Sequence, residues 1–222
     1  MSKTLTYLFD PLCGWCYGIN RALAALVEDT GVNLALLPSG LFCGNGARMM
    51  DDGMAGHVWT NDHRIEALTG APFSTAYREQ VLTDRSQPLD STLTLLALTA
   101  VAESDPGQEF AVLQYLQRAR YVDGRDITSP QGLVPLLEAL GMASAASALD
   151  QAAGGLRDTL VQRIETARML MQAHSARGIP GFIVNDGDGL QRALPASLLI
   201  AQPMHFARQV RGITEEELDN LL

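Results

Sequence analysis

Leu5-Thr6-Tyr7-Leu8-Phe9-Asp10-Pro11-Leu12-Cys13-Gly14-Trp15-Cys16 is the stretch that decides the fold. Residues 5–9, apolar with Tyr7 and Phe9 among them, read as a buried strand, and Pro11, which has no N–H to give to a sheet ladder, ends it. Two cysteines follow at C-x-x-C spacing, and then Ile19, Leu23, Leu26 and Val27 recur at helical intervals until Gly31 closes the helix. A strand thus delivers Cys13 and Cys16 to a helix N-terminus. Unsatisfied N–H groups and the positive end of the helix dipole favour a thiolate there, and the thiolate is the nucleophile of disulfide exchange. Two intervening residues put the second sulfur one helical turn on, within bonding reach of the first. Two other readings stay open. The pair is half of a zinc site, although no second C-x-x-C or H-x-x-x-H supplies further ligands, or it is simply two small buried hydrophobes.

Outward from this stretch, residues 32–37 form a second strand ended by Pro38-Ser39-Gly40, which makes a right-handed parallel β-α-β unit. A turn-rich passage, 39–46, holds Cys43. The chain is then helical to about residue 171: 48–68, interrupted at Gly53 and Gly56; 72–82; a helix starting at Pro88 and apolar nearly all round through Leu93, Leu95, Leu96, Leu98 and Val101; 109–121; 131–140 after Ser129-Pro130; 143–151; and 156–175. Near the end, 182–184 reads as a strand, 185–189 as a hairpin turn, 190–193 or a stretch shortly after it as the return strand, and 203–210 and 215–222 as closing helices. Strands at both ends must meet in one sheet. The expected organisation is an α/β domain made of residues 1–44 and 175–222, with an all-helical insertion at 45–174.

The 222 residues are 47% apolar, enough for a sizeable core, and the formal net charge of −9 argues against a nucleic-acid or anionic-membrane partner, which calls for clustered Lys and Arg. No apolar run reaches membrane-spanning length. Residues 1–4 run straight into the first strand and leave no leader segment, so a cytoplasmic location is expected. In reducing surroundings three cysteines suit a catalytic pair better than a structural framework. Cys43 is the odd thiol, expected as a small buried residue. His57, His63, His174 and His205 lack ligand spacing, so no metal site is expected. Trp15 and Trp59 are candidates for the border of a substrate groove.

Three segments together carry a family resemblance: 9–18 (FDPLCGWCYG), 121–127 (YVDGRDI) and 178–184 (GIPGFIV). The chain resembles the DsbA-like branch of the thioredoxin superfamily over nearly its whole length, and within it the FrnE-type disulfide oxidoreductases. The resemblance implies a thioredoxin fold in which Cys13 is the exposed nucleophile, Cys16 the buried resolving thiol and Pro180 a cis-proline facing the sulfurs, with the Ile179 backbone free to pair with a bound peptide. It implies a redox-active disulfide and no other cofactor, with protein or small-molecule thiols and disulfides as partners and glutathione or a thioredoxin system as electron partner, the direction of reaction being left open. Isomerase activity and a homodimer are further expectations of the same kind. Gly14-Trp15 departs from the Pro-His and Gly-Pro dipeptides of better-known members, a feature that bears on redox poise. Asp10 is expected to cap the helix, or otherwise to tune the thiols. Related 2-hydroxychromene-2-carboxylate isomerases and kappa-class glutathione transferases share the fold but usually place Ser where Cys13 stands.

Overall fold

A computed structural model of the chain describes residues 3–150 and 154–212. In order, the elements are β1 (Thr4–Phe9), α1 (Gly14–Gly18), α2 (Asn20–Thr30), β2 (Asn33–Pro38), β3 (Arg48–Met49), α3 (Asp52–Thr69), α4 (Thr75–Gln80), β4 (Pro88–Leu89) and α5 (Thr92–Ser104). They continue as α6 (Glu109–Tyr121), α7 (Pro130–Ala139), α8 (Ala143–Asp150), α9 (Gly154–Ala173), β5 (Gly181–Asn185), β6 (Gln191–Pro195), α10 (Ala196–Ala201) and α11 (Pro203–Arg211). The main sheet has the order β2-β1-β5-β6, with β1 parallel to β2 and antiparallel to β5, and β5 antiparallel to β6. Both ends of the chain therefore build one sheet around β1, and the helices α3 to α9 lie between them in sequence.

β1 is buried on both faces. Leu5, Tyr7 and Phe9 pack into the main core with Leu23 of α2 and Phe206 of α11, while Leu8 points the other way onto Ile183 and Ala167 of α9. This alternation is the two-residue period of a strand. In the helical region, residues 94–101 of α5 are buried all round, as their mainly apolar character demands, and the hydroxyls of Thr94 and Thr99 donate to the Ile127 and Leu95 carbonyls.

Several boundaries differ from the sequence reading, each for a local reason. Pro38 is the last paired residue of β2 rather than its terminator, and β2 is an edge strand, where a missing N–H costs no ladder bond. Gly53 and Gly56 do not interrupt α3, because Asp51 caps the helix by accepting from the Met54 N–H (2.7 Å) and both glycines fall in its first turns. Residues 48–49 and 88–89 pair as a two-stranded ribbon instead of opening helices, so α5 starts at Thr92. α10 was not anticipated; six residues are too few to display a period. The helix expected at 215–222 and the final residue of the one expected at 143–151 lie outside the described residues. Among the described residues, no helix is long and apolar enough to cross a membrane.

Candidate active site

Beyond β1 the chain turns through residues 10–13, with the Cys13 N–H donating to the Asp10 carbonyl (3.1 Å). Asp10 does not cap the helix. The N-cap of α1 is Cys13 itself, in extended backbone (φ −85°, ψ 116°), and no side chain caps it. The wholly buried Asp10 carboxyl turns inward to where the loop after β2 and the start of α5 converge: one oxygen accepts from the Leu12 N–H (3.0 Å), the other from the Phe42 N–H (3.1 Å) and the Ser91 hydroxyl (2.9 Å). Burial pushes its pKa up to about 6, against the pull of these donors.

Cys13 retains 8% exposure and Cys16 none, and both are free thiols. Cys13 is thus less open than the resemblance implied, yet it is the more accessible of the pair. Burial pushes the Cys16 thiol up first, and the Cys13 thiol beside it adds to this; the nearby Asp10 backbone and Tyr7 hydroxyl act in the opposite sense. Tyr7 is wholly buried in mid-β1, and its O–H also reaches the Cys16 carbonyl (3.2 Å). Its own pKa is raised by burial and then by the nearby cysteines.

Gly14, between the cysteines, faces α3. A Cβ there would stand 2.7 Å from a carboxyl oxygen of Asp62 and 3.1 Å from the Ile65 side chain, and one on Gly18, a turn later, would collide with Ile65 as well. The two glycines give α1 a flat face on which α3 rests. Asp62 is 2% exposed and accepts a hydrogen bond from the Tyr77 hydroxyl (3.2 Å). Burial pushes its pKa up to about 7, opposed by that bond and by Arg120. Arg120 lies 5.8 Å over the rings of both Tyr77 and Tyr121, in an aromatic cluster where Tyr17 stacks on Tyr121 at 4.7 Å.

The Ile179–Pro180 bond is cis, and Pro180 directly precedes Gly181, which pairs with Leu8 near the end of β1. The loop therefore abuts the strand end from which the cysteine turn emerges. Trp15, Ile179 and Pro180 come together on the wall of one cavity of about 550 Å³, and Ile179 with Gly178 also lines a second, of about 700 Å³, reached by Cys43. Cys43 is half-buried rather than buried, within 3.2 Å of the Thr92 hydroxyl, and burial raises its pKa. Trp59 lies away from this loop, edge-on to His63 and beneath Arg78. His57 and His63 are exposed, and His174 shares a hydrogen bond with Gln191 (3.1 Å). Among the described residues, no three His, Cys, Asp or Glu side chains gather as metal ligands.

A family model described as a DSBA-like thioredoxin domain matches residues 4–206. The chain belongs to this family. Among solved structures it is similar to the cytosolic disulfide reductase DsbM from Pseudomonas aeruginosa, with 34% identity, a TM-score of 0.78, and coverage of 94% of this chain and 97% of that one. The same reductase solved with GSH superposes with 32% identity, a TM-score of 0.78 and coverage of 94% and 98%. A 2-hydroxychromene-2-carboxylate isomerase, at 14% identity, a TM-score of 0.58 and coverage of 96% and 100%, shares the fold. No match was found among curated proteins. This DsbA-like chain is accordingly an enzyme of the disulfide oxidoreductase and isomerase family, with the mixed α/β thioredoxin fold and its helical insertion.

The sequence reading of this DsbA-like site missed the polar side chains that come from afar. Gln117 of α6, wholly buried, donates to the Pro11 carbonyl (3.1 Å) and accepts from the Asn20 amide (2.7 Å). The Tyr17 hydroxyl donates to the Pro72 carbonyl (3.0 Å). Ser91, the N-cap residue of α5, spends its hydroxyl on Asp10 instead of on the helix N-terminus. A signal for Asp62 did exist: it falls on the stripe Val58, Asp62, Ile65, Thr69, a charged residue in a core-facing row of α3.

Proposed function

We propose that Cys13 and Cys16 form a dithiol–disulfide couple that reduces substrate disulfides in the cytoplasm. The observation that carries this reading is the asymmetry of the pair. Cys13 stands at the N-cap of α1 with some surface open, whereas Cys16 is sealed, with the Tyr7 hydroxyl donating to its carbonyl. The Cys13 thiolate attacks one substrate sulfur, the substrate S–S bond breaks, and the leaving half departs as a thiolate that takes up a proton. Cys16, having lost its proton, attacks the Cys13 sulfur of the mixed disulfide and releases the other half as a thiol. The substrate gains two electrons and two protons, and the enzyme is left with a Cys13–Cys16 disulfide. Two molecules of a small thiol return it to the dithiol; glutathione is favoured because the similar reductase was solved with GSH. In this scheme Trp15, Ile179 and Pro180 bound the substrate groove, and the Ile179 backbone pairs with an extended substrate in strand-addition fashion. Gly14 lets α3 pack closely behind the pair, and Asp10 fixes the turn that presents it. The catalytic unit spans residues 1–44 and 175–222, and 45–174 form the insertion that covers it.

The direct test uses Cys13→Ser and Cys16→Ser with glutathione disulfide and with an oxidised, disulfide-containing protein substrate. Cys13→Ser is expected to lose exchange entirely. Cys16→Ser is expected to accumulate a mixed disulfide at Cys13, read as a mass gain of one glutathionyl group. Undiminished exchange by Cys13→Ser refutes the mechanism, and glutathione-dependent isomerisation surviving in Cys16→Ser would point to the isomerase branch of the fold.

A further inference from the structure

Two cavities lie on either side of the 178–180 turn, about 550 and about 700 Å³ in volume, both within the range of ~300–1,000 Å³ usual for small-molecule sites. Each is lined by one arginine, Arg177 in the first and Arg168 in the second, and neither is lined by a single Asp or Glu. In three further cavities every arginine is matched by a carboxylate: Arg21 with Asp29, Arg120 with Asp84 and Asp126, and Arg157 with Asp90. The contrast is sharpened by a chain whose formal charge is −9, since its overall field disfavours anions. Among these five cavities, an arginine with no carboxylate on the same wall is found only in the two that share the 178–179 turn.

Both guanidiniums are available to a ligand. Arg168 and Arg177 are exposed, and among the described residues neither has an ion-pair or side-chain hydrogen-bond partner. Arg168 projects from α9 across the turn after β2, where its guanidinium would lie 3.4 Å from a Cβ on Gly40, so the glycine leaves room for it. Arg177 sits in the turn between Ser175 (φ 51°) and Gly178 (φ 86°), immediately before the loop itself. Carboxylates do exist behind the Arg168 cavity, but they are engaged: Asp10 by Leu12, Phe42 and Ser91, and Asp90 by the Thr92 N–H and hydroxyl. Gly178 and Ile179 line both cavities, so the two meet at this turn.

We propose that the two cavities are the arms of one site for a small anionic disulfide, with a carboxylate of one half held by Arg168, a carboxylate of the other by Arg177, and the sulfurs at the loop between them. This inference rests on the reading of Cys13 as nucleophile and adds the substrate class. Guanidinium is suited to the task, because its planar fork meets a carboxylate with two parallel hydrogen bonds. Each half of the substrate leaves as an anionic thiol, by the same bond changes as above.

The test measures kcat and KM of the full chain on three disulfides of similar reach and different charge: anionic glutathione disulfide, neutral 2-hydroxyethyl disulfide and cationic cystamine. The wild type should prefer them in that order, with the preference eroded by added salt. Arg168→Gln and Arg177→Gln should each raise KM for glutathione disulfide ~3- to 10-fold, the range of a half-exposed charge-assisted pair, and leave KM for the neutral disulfide in place. The double variant should lose the order, while Arg21→Gln, remote from the loop, keeps it. An order unchanged in the double variant overturns the proposal. A binding titration with unreactive S-methylglutathione separates this outcome from failure of the exchange mechanism: weaker binding to the double variant than to the wild type supports the anionic site even if no disulfide is reduced, and equal or absent binding to both refutes it.

Discussion

Replacing Asp62 by Asn tests the buried acid behind the cysteine motif. Asp62 is 2% exposed, and its pKa rises from an ordinary 3.8 to about 7. The native state therefore holds the Asp62 proton more tightly than the unfolded chain does, and stability falls as pH rises through the window between these values. The shift of about three units, at 1.36 kcal/mol each, corresponds to ~4 kcal/mol fully developed above pH 7, and relaxation around the site reduces this to ~2–4 kcal/mol. Asn keeps an oxygen to accept the Tyr77 hydroxyl and carries no charge to desolvate. Asp62→Asn should thus match the wild type at about pH 3, below the unfolded value, and exceed it by ~2–4 kcal/mol at about pH 8.5, as read by urea unfolding of the reduced protein. Asp10 contributes a loss of the same sign up to about pH 6 in both proteins, so it cancels in the difference. Two stability curves that stay parallel across this range would refute the reasoning.

Gly14→Ala puts a methyl 2.7 Å from the Asp62 carboxyl and 3.1 Å from Ile65, for an expected loss of ~1–3 kcal/mol; in a double-mutant cycle with Asp62→Ala much of the loss should disappear, and simple additivity would count against the contact. Arg163 donates to Glu109 (2.5 Å), the Leu36 carbonyl (2.9 Å) and the Thr99 hydroxyl (3.2 Å), so Arg163→Met should cost ~3–5 kcal/mol by stranding a buried carboxylate, with recovery on adding Glu109→Leu; thermal unfolding decides. Ser91→Ala removes one donor from Asp10, which should titrate above about 6 and extend the decline of stability to higher pH; an unmoved carboxyl-carbon NMR midpoint would contradict this.

What the sequence made legible was local. The strand before Cys13, the C-terminal cap at Gly31 (φ 62°), α6 at 109–121 and the 185–189 hairpin all follow from periods of two or 3.6 residues and from turn residues, which need no knowledge of the partner surface. The C-x-x-C pair proposed as the redox couple could be picked out for the same reason, because it lies in one continuous motif. Illegible were the contacts that join distant segments. Asp10 looked like a cap because Asp close before a helix commonly is one; of its three donors only Leu12 is local, and Phe42 and Ser91 come from 32 and 81 positions away. Gly14 looked like a redox variable, whereas the packing of α3 alone suffices to require it.

These long-range contacts also explain why the helical segment stands in the middle of the chain rather than beside it. The turn that presents the cysteines carries polar groups that its own strand and helix cannot satisfy: the Asp10 carboxyl, the Pro11 carbonyl, the Asn20 amide and the Tyr17 hydroxyl. Ser91, Gln117 and Pro72, all from the helical segment, satisfy them. Each such group left buried and unpaired costs ~1–3 kcal/mol, which is a large share of a domain's ~5–15 kcal/mol. The sheet supplies the strand that aims the cysteines, and the insertion supplies the partners that let that aim be buried. Neither half of this division is a site without the other.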